Sequence, residues 1–213
     1  MFKPIVKWNT SIHDTHILSE TVRKAFKLAQ MEKPGVTHLE IPEDIAGLKA
    51  EGAPLAPKTL RRSSPDYKAI DESLKLLLSA KKPLIIAGNG AIRKLASKHL
   101  RLFVEKTGIP VISTFMGKGA ISDKNPLSLF AMGLKAKDFP LYAIEQSDLI
   151  ITVGYDIAEY DPALWNPQKK PIVHIDFLSS EVYEYYDPKV EIIADISATL
   201  WELNQQLDKR QFK

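Results

Sequence analysis

The residues able to do chemistry in this chain stand where short apolar runs stop. Gly88-Asn89-Gly90 follows Leu84 to Ala87; Thr114, Met116 and Gly117 follow Ile109 to Ser113; Gly154, Tyr155 and Asp156 follow Leu149 to Val153; Asp176 and Asp195 close two further runs. Glycines let a backbone turn sharply and admit a ligand, and an aspartate accepts hydrogen bonds from ribose hydroxyls, so the set suits a nucleotide. A ligand-free turn and a helix-capping aspartate are the competing readings for the same residues. As a dinucleotide fingerprint the first motif is incomplete, because the third glycine of G-x-G-x-x-G falls on Arg93.

Other chemistries find little support. His13, His16, His38, His99 and His174 show no metal-ligand spacing. No G-x-S-x-G elbow supports a serine nucleophile. The absence of cysteine removes thiol catalysis and disulfides.

The elements that position these residues follow from pattern. Apolar runs of four or five residues without polar alternation read as strands buried on both faces, the kind found in parallel sheets. Strands are expected at 84–87, 109–113, 149–153, 172–175 and 190–194. Helices are expected from a Ser64 cap to Ala80, from Ala91 to Thr107 with Ile92, Leu95, Ala96, Leu102 and Phe103 inward, over Lys137 to Gln146, over Ser179 to Tyr185, and from Ile196 to Leu207. The alternation predicts an α/β domain with a parallel Rossmann-like sheet of five to six strands and helices on both faces.

Ahead of that domain, Leu18, Val22, Ala25, Phe26 and Ala29 mark an amphipathic helix ending near Lys33-Pro34-Gly35. A short strand over Val36 to Ile41 follows, with nothing for it to pair with. Residues 42–64 lose all periodicity and read as a linker. The expected organisation is a helix-strand segment left from another domain over 1–41, a linker over 42–64, the Rossmann-like domain over 65–208, and a tail over 209–213.

Length and charge set limits. At 213 residues, with 29 Lys and Arg against 26 Asp and Glu, the net charge is +3 and scattered, which makes no case for nucleic acid or a membrane surface. The opening MFKPIVKW lacks the apolar core of a signal peptide, and no apolar run approaches the ~20 residues needed to span a bilayer. A cytoplasmic protein is expected.

Four segments together, KPLIIAGNGAIR, TGIPVISTFMGKGAISDKNPLSL, DLIITVGYDIAEYDPALWNP and IVHIDFLSSEVYEYYDPKVEIIADISATL, resemble in order and spacing the central domain of thiamine-diphosphate-dependent enzymes of the acetolactate synthase (acetohydroxyacid synthase) large-subunit type. The stretch GYDIAEYDPALWN is most similar to the catabolic members. VKWN, the amphipathic helix and KPGVTHLEIPEDI resemble the end of the preceding pyrimidine-binding domain.

The resemblance implies a fold of the DHS-like NAD/FAD-binding type, in a fragment of an enzyme that condenses two 2-keto acids with decarboxylation. Thiamine diphosphate and Mg²⁺ serve the full-length family. The glutamate that activates the cofactor would precede Met1, and no Gly-Asp dipeptide is present for the metal motif. No cofactor and no catalytic residue is therefore expected in this fragment by itself, and its partners are the missing domains or another copy of the chain, with a dimer through residues 1–41.

FAD sits in the central domain of biosynthetic members and is lacking in catabolic ones. The positions carried over as FAD-facing are Gly88, Asn89, Gly90, Thr114, Phe115, Met116, Gly133, Leu134, Gly154, Asp176 and Asp195. Where flavin-binding members carry an arginine-containing run, this chain has Gly154 to Tyr160 without arginine, and Ala194 replaces the glycine expected before Asp195. Both departures favour an FAD-independent relative. An autonomous nucleotide-binding module is the alternative.

Overall fold

The structure is a computed structural model and describes residues 2–50, 52–93, 95–133 and 139–210. The chain forms two compact units, residues 1–61 and 62–213.

In the first unit, β1 (Trp8–Ser11) runs parallel to β2 (Thr37–Glu40), and α1 (Leu18–Gln30) connects them. Asp14 starts this connection by accepting the His16 N–H at 2.8 Å, as an N-cap does. The Thr37 hydroxyl donates to the Ala25 carbonyl at 3.3 Å and ties helix to strand. The second strand therefore has a partner, which corrects the expectation of an unpaired one. Its partner, Trp-Asn-Thr-Ser, carries a single large apolar residue and leaves no alternation to read. A short helix, α2 (Glu43–Ala46), occupies the start of the expected linker. Only Ala25 of the apolar stripe on α1 is buried, and Phe26 is 65% exposed.

The second unit is a six-stranded sheet made of β3 (Pro83–Ala87), β4 (Val111–Ser113), β5 (Ser128–Ala131), β6 (Leu149–Val153), β7 (Ile172–Asp176) and β8 (Val190–Ile193). All neighbours are parallel, in the order β5-β4-β3-β6-β7-β8. The order reverses between β3 and β6, where a doubly wound sheet opens its crevice.

Alternate strand residues serve opposite faces. Ile85, Ala87, Ile151, Val153, Val173 and Ile175 pack with α3 (Tyr67–Ser79), α4 (Ala96–Thr107) and α7 (Ile196–Arg210). Leu84, Ile86, Ile112, Ile150 and Ile172 pack with α5 (Phe139–Gln146), α6 (Pro162–Trp165) and the rings of Tyr155, Trp165 and Tyr186. Burying each of these Leu, Ile and Val side chains stabilises by about 1.5–3 kcal/mol. The expected α/β architecture with helices on both faces is present.

Several local expectations are corrected. Asp66, not Ser64, caps α3, its carboxylate accepting the Ala69 N–H at 3.1 Å. The expected helix at Ala91 is a 3-10 turn over Asn89–Ile92, and α4 begins at Ala96. Its buried face is Ala96, Leu100, Phe103 and Val104, while Ile92, Leu95 and Leu102 are exposed. No helix forms over 179–185. Glu191 captures the Ser179 hydroxyl and the Ser180 N–H at 2.9 and 2.7 Å, and Tyr183 makes an isolated antiparallel bridge with Tyr186. Strand β5 and helix α6 have no counterpart among the expected elements, and Lys137 and Asp138 of the helix expected over 137–146 lie outside the described residues.

Candidate functional site

Three turns meet at the carboxyl ends of β3, β4 and β6, and backbone, not ligand, accounts for their glycines. A Cβ on Gly88 would lie 2.4 Å from the Gly154 carbonyl oxygen; one on Gly90 would lie 2.6 Å from Gly154 Cα; one on Gly117 would lie 2.0 Å from the Ala87 carbonyl oxygen. Gly154 itself has φ 59°, the left-handed region, and its missing side chain leaves room for Gly90. The Gly88 N–H donates to Val153 at 2.9 Å and the Gly90 N–H to Gly154 at 2.8 Å. The 88–90 turn is thereby fastened to the end of β6.

A carboxylate completes this junction. Both Glu159 oxygens lie within reach of the Asn89 N–H, at 3.0 and 3.1 Å, and the Asp156 N–H donates at 3.3 Å. The fully buried Thr114 donates its hydroxyl to Glu159 and accepts the Gly117 N–H at 2.9 Å. Burial pushes the Glu159 carboxyl above its ordinary range, partly offset by the bonds from Thr114, Asn89 and Asp156, while the Asp156 charge adds to the rise. Glu159 thus links the 88–90, 114–117 and 154–160 turns.

The two strand-end aspartates do structural work. Asp195, 3% exposed, caps α7 by accepting the Ala198 N–H at 2.8 Å and pairs with Arg62 at 2.9 Å. Asp176, 7% exposed, accepts the Phe177 N–H at 2.6 Å, and its carbonyl accepts Ala194 N–H at 2.9 Å. Phe115 and Met116 are exposed, and Gly133 follows β5 at the sheet edge. Leu134 lies outside the described residues. Of the sequence-derived set, Gly88, Asn89, Gly90, Thr114 and Gly154 therefore meet in one place. Glu159, the side chain that joins them, carries no local signature: a lone glutamate in a loop gains its role only when three loops converge.

Three further buried groups, Tyr186, His174 and Thr152, form a hydrogen-bonded network. Tyr186 hydroxyl stands 2.7 Å from His174 Nδ1 and 2.6 Å from Thr152 Oγ1, and His174 Nε2 lies 3.0 Å from the Leu178 carbonyl oxygen. If Nε2 donates to that carbonyl, Nδ1 is left as the acceptor for the phenol. Burial pushes the Tyr186 phenol well up and keeps it neutral. His13 and His16 are exposed, and His38 stacks on Phe2 with centroids 4.3 Å apart. Among the described residues no three His, Cys, Asp or Glu side chains come together to hold a metal, and no helix is long and apolar enough to cross a membrane.

Comparison with known proteins places the chain. The model of the thiamine pyrophosphate enzyme central domain matches residues 70–203. The probable acetolactate synthase large subunit of Methanococcus aeolicus is 34% identical, covering 98% of this chain and 36% of that protein. The catabolic acetolactate synthase of Raoultella terrigena is 31% identical, with 99% and 38% covered, and the acetolactate synthase of Bacillus subtilis is 29% identical, with 100% and 38% covered. Among solved structures, benzoylformate decarboxylase from Polynucleobacter necessarius superposes with TM-score 0.79 at 21% identity, over 96% of this chain and 39% of that one, a likeness of fold. The chain spans little more than a third of the length of these relatives.

Proposed function

The chain belongs to the family of thiamine pyrophosphate enzyme central domains, and from that premise we propose that it is the central scaffold of an acetolactate synthase-like enzyme. The observation that carries this reading is the alignment of nearly the whole chain with acetolactate synthases from an archaeon and two bacteria. On this reading the complete enzyme condenses two 2-keto acids with loss of carbon dioxide. Residues 1–41 are the end of a pyrimidine-binding domain and residues 65–208 the central domain, in the cytoplasm.

Thiamine diphosphate, which the family name implies, supplies the carbanion chemistry when bound. The residues present here do not fit as its holder. The polar groups at the strand ends are engaged with one another, and the described residues assemble no metal-ligand set. On this reading the cofactor and Mg²⁺ are held by other domains of the complete enzyme, and this segment contributes the parallel sheet.

The test is direct. The isolated chain, given thiamine diphosphate, Mg²⁺ and pyruvate, is expected to release no carbon dioxide. The same residues within a polypeptide that includes the missing domains are expected to form acetolactate. Pyruvate turnover by the isolated chain overturns the proposal.

A further inference from the structure

We propose that Glu159 is a built-in stand-in for a ligand anion, a latch that fills the strand-end crevice and shuts phosphate-bearing ligands out of it. The inference rests on the hydrogen bonds of this one side chain and is independent of which reaction the complete enzyme performs.

In a parallel sheet the ligand place lies outside the carboxyl ends of the strands where their order reverses, here between β3 and β6. A phosphate entering there would need donors from the turn after β3. The Asn89 N–H is the donor that faces outward from that turn, because Gly90 and Ala91 spend theirs on the carbonyls of Gly154 and Gly88. Glu159 takes the Asn89 N–H with both oxygens and adds the Thr114 hydroxyl and the Asp156 N–H. Donors from three loops thus converge on one anionic group, and that group belongs to the chain.

Three further hydrogen bonds fix the latch. The Asp156 carboxylate accepts the Ala158 N–H at 2.9 Å, which shapes the loop that carries Glu159. The Tyr155 phenol donates to the Tyr160 carbonyl and accepts from Trp165 Nε1 at 3.0 Å, which anchors both ends of that loop in the aromatic core. Glu159 is held in place and does not sample the crevice from solvent. A phosphate approaching Asn89 would have to displace a prepaid hydrogen-bonding partner and lie against its negative charge.

ADP is the probe, compared by calorimetry between the full wild-type chain and Glu159→Ala, alongside amide hydrogen exchange of the wild type. We expect the wild type to give no heat, the Asn89 amide to be protected, and the variant to bind ADP at least about tenfold more tightly than wild type. ADP bound equally by both proteins, or a folded variant that gains nothing, overturns the proposal. Should the variant fail to fold, the wild-type exchange decides, since an Asn89 amide exchanging at the rate of an open chain overturns the latch.

Discussion

The Tyr186 hydroxyl lies 2.7 Å from His174 Nδ1 in the interior beneath β7, where both residues are 2% exposed. The phenol also meets Thr152 at 2.6 Å, while the other contacts of these two partners are longer, Thr152 lying 3.4 Å from the Val173 carbonyl and 3.5 Å from His174 Nδ1. Replacing it leaves both partners with those longer contacts in place of a short one. Tyr186→Phe is expected to destabilise the domain by about 1–3 kcal/mol, because a buried group left without its bond costs its full desolvation. Urea denaturation of the variant checks this, and an unchanged midpoint would show the network to be dispensable.

Glycines in this chain divide into two kinds with different sensitivities. At Gly117 an added Cβ strikes the Ala87 carbonyl oxygen at 2.0 Å, whereas at Gly119, with φ 98°, nothing stands within 4 Å. Gly117→Ala should cost about 3 kcal/mol or more, since main chain must move aside. Gly119→Ala should cost about 1–3 kcal/mol from backbone strain alone. Thermal melts of the two variants side by side should place Gly117→Ala clearly lower.

Lys170 reaches the open end of α5. Its ammonium donates to the carbonyls of Ile144, Glu145 and Ser147 at 2.6, 2.6 and 2.7 Å, and burial pulls its pKa down. A cation among the last carbonyls of a helix stabilises it. Lys170→Met, which keeps the stem, should lose about 1–2 kcal/mol. Amide exchange should quicken first within 139–146, and uniform quickening would contradict a local capping role.

Glu191 sets a pH dependence. Burial pushes its carboxyl up, but the Ser180 hydroxyl and N–H, the Ser179 hydroxyl and the His174 ring together hold it below its ordinary 4.5. A carboxyl depressed on folding contributes stability that is present above its unfolded pKa and lost as pH falls through the lower folded value. The melting-temperature gap between wild type and Glu191→Gln should therefore be full above about pH 5 and shrink below about pH 4. A gap that stays constant down to pH 3 would contradict this.

The parallel sheet was legible because Leu84 to Ala87, Leu149 to Val153 and Ile172 to Ile175 are short, wholly apolar and punctuated by glycine or aspartate. Where a strand lies at an edge, that signal fades. Ser128–Ala131 is a four-residue edge strand that places Phe130 at φ 63°, 61% exposed. Over 179–185 local propensity lost to Glu191, a partner supplied by the next strand. Gly88, Asn89, Gly90, Thr114 and Gly154 were legible as strand-end residues, but the carboxylate that joins their turns was not. Asp156 is the carboxylate that the sequence places just after the Leu149 to Val153 run, whereas the group that closes the turn is Glu159, three residues on.

The reversal of strand order has a consequence for how the chain reaches this state. At the central seam residue 84 meets residue 150, whereas β6 and β7 bring residue 150 against residue 172. Closing the longer span comes before any contact rewards it, so the β6-β7-β8 half is expected to gather first, with β3 and β4 arriving late. Weakening the seam at Ile86 should then speed unfolding and leave refolding nearly unchanged, whereas slowed refolding with an unchanged unfolding rate would show that the seam forms early.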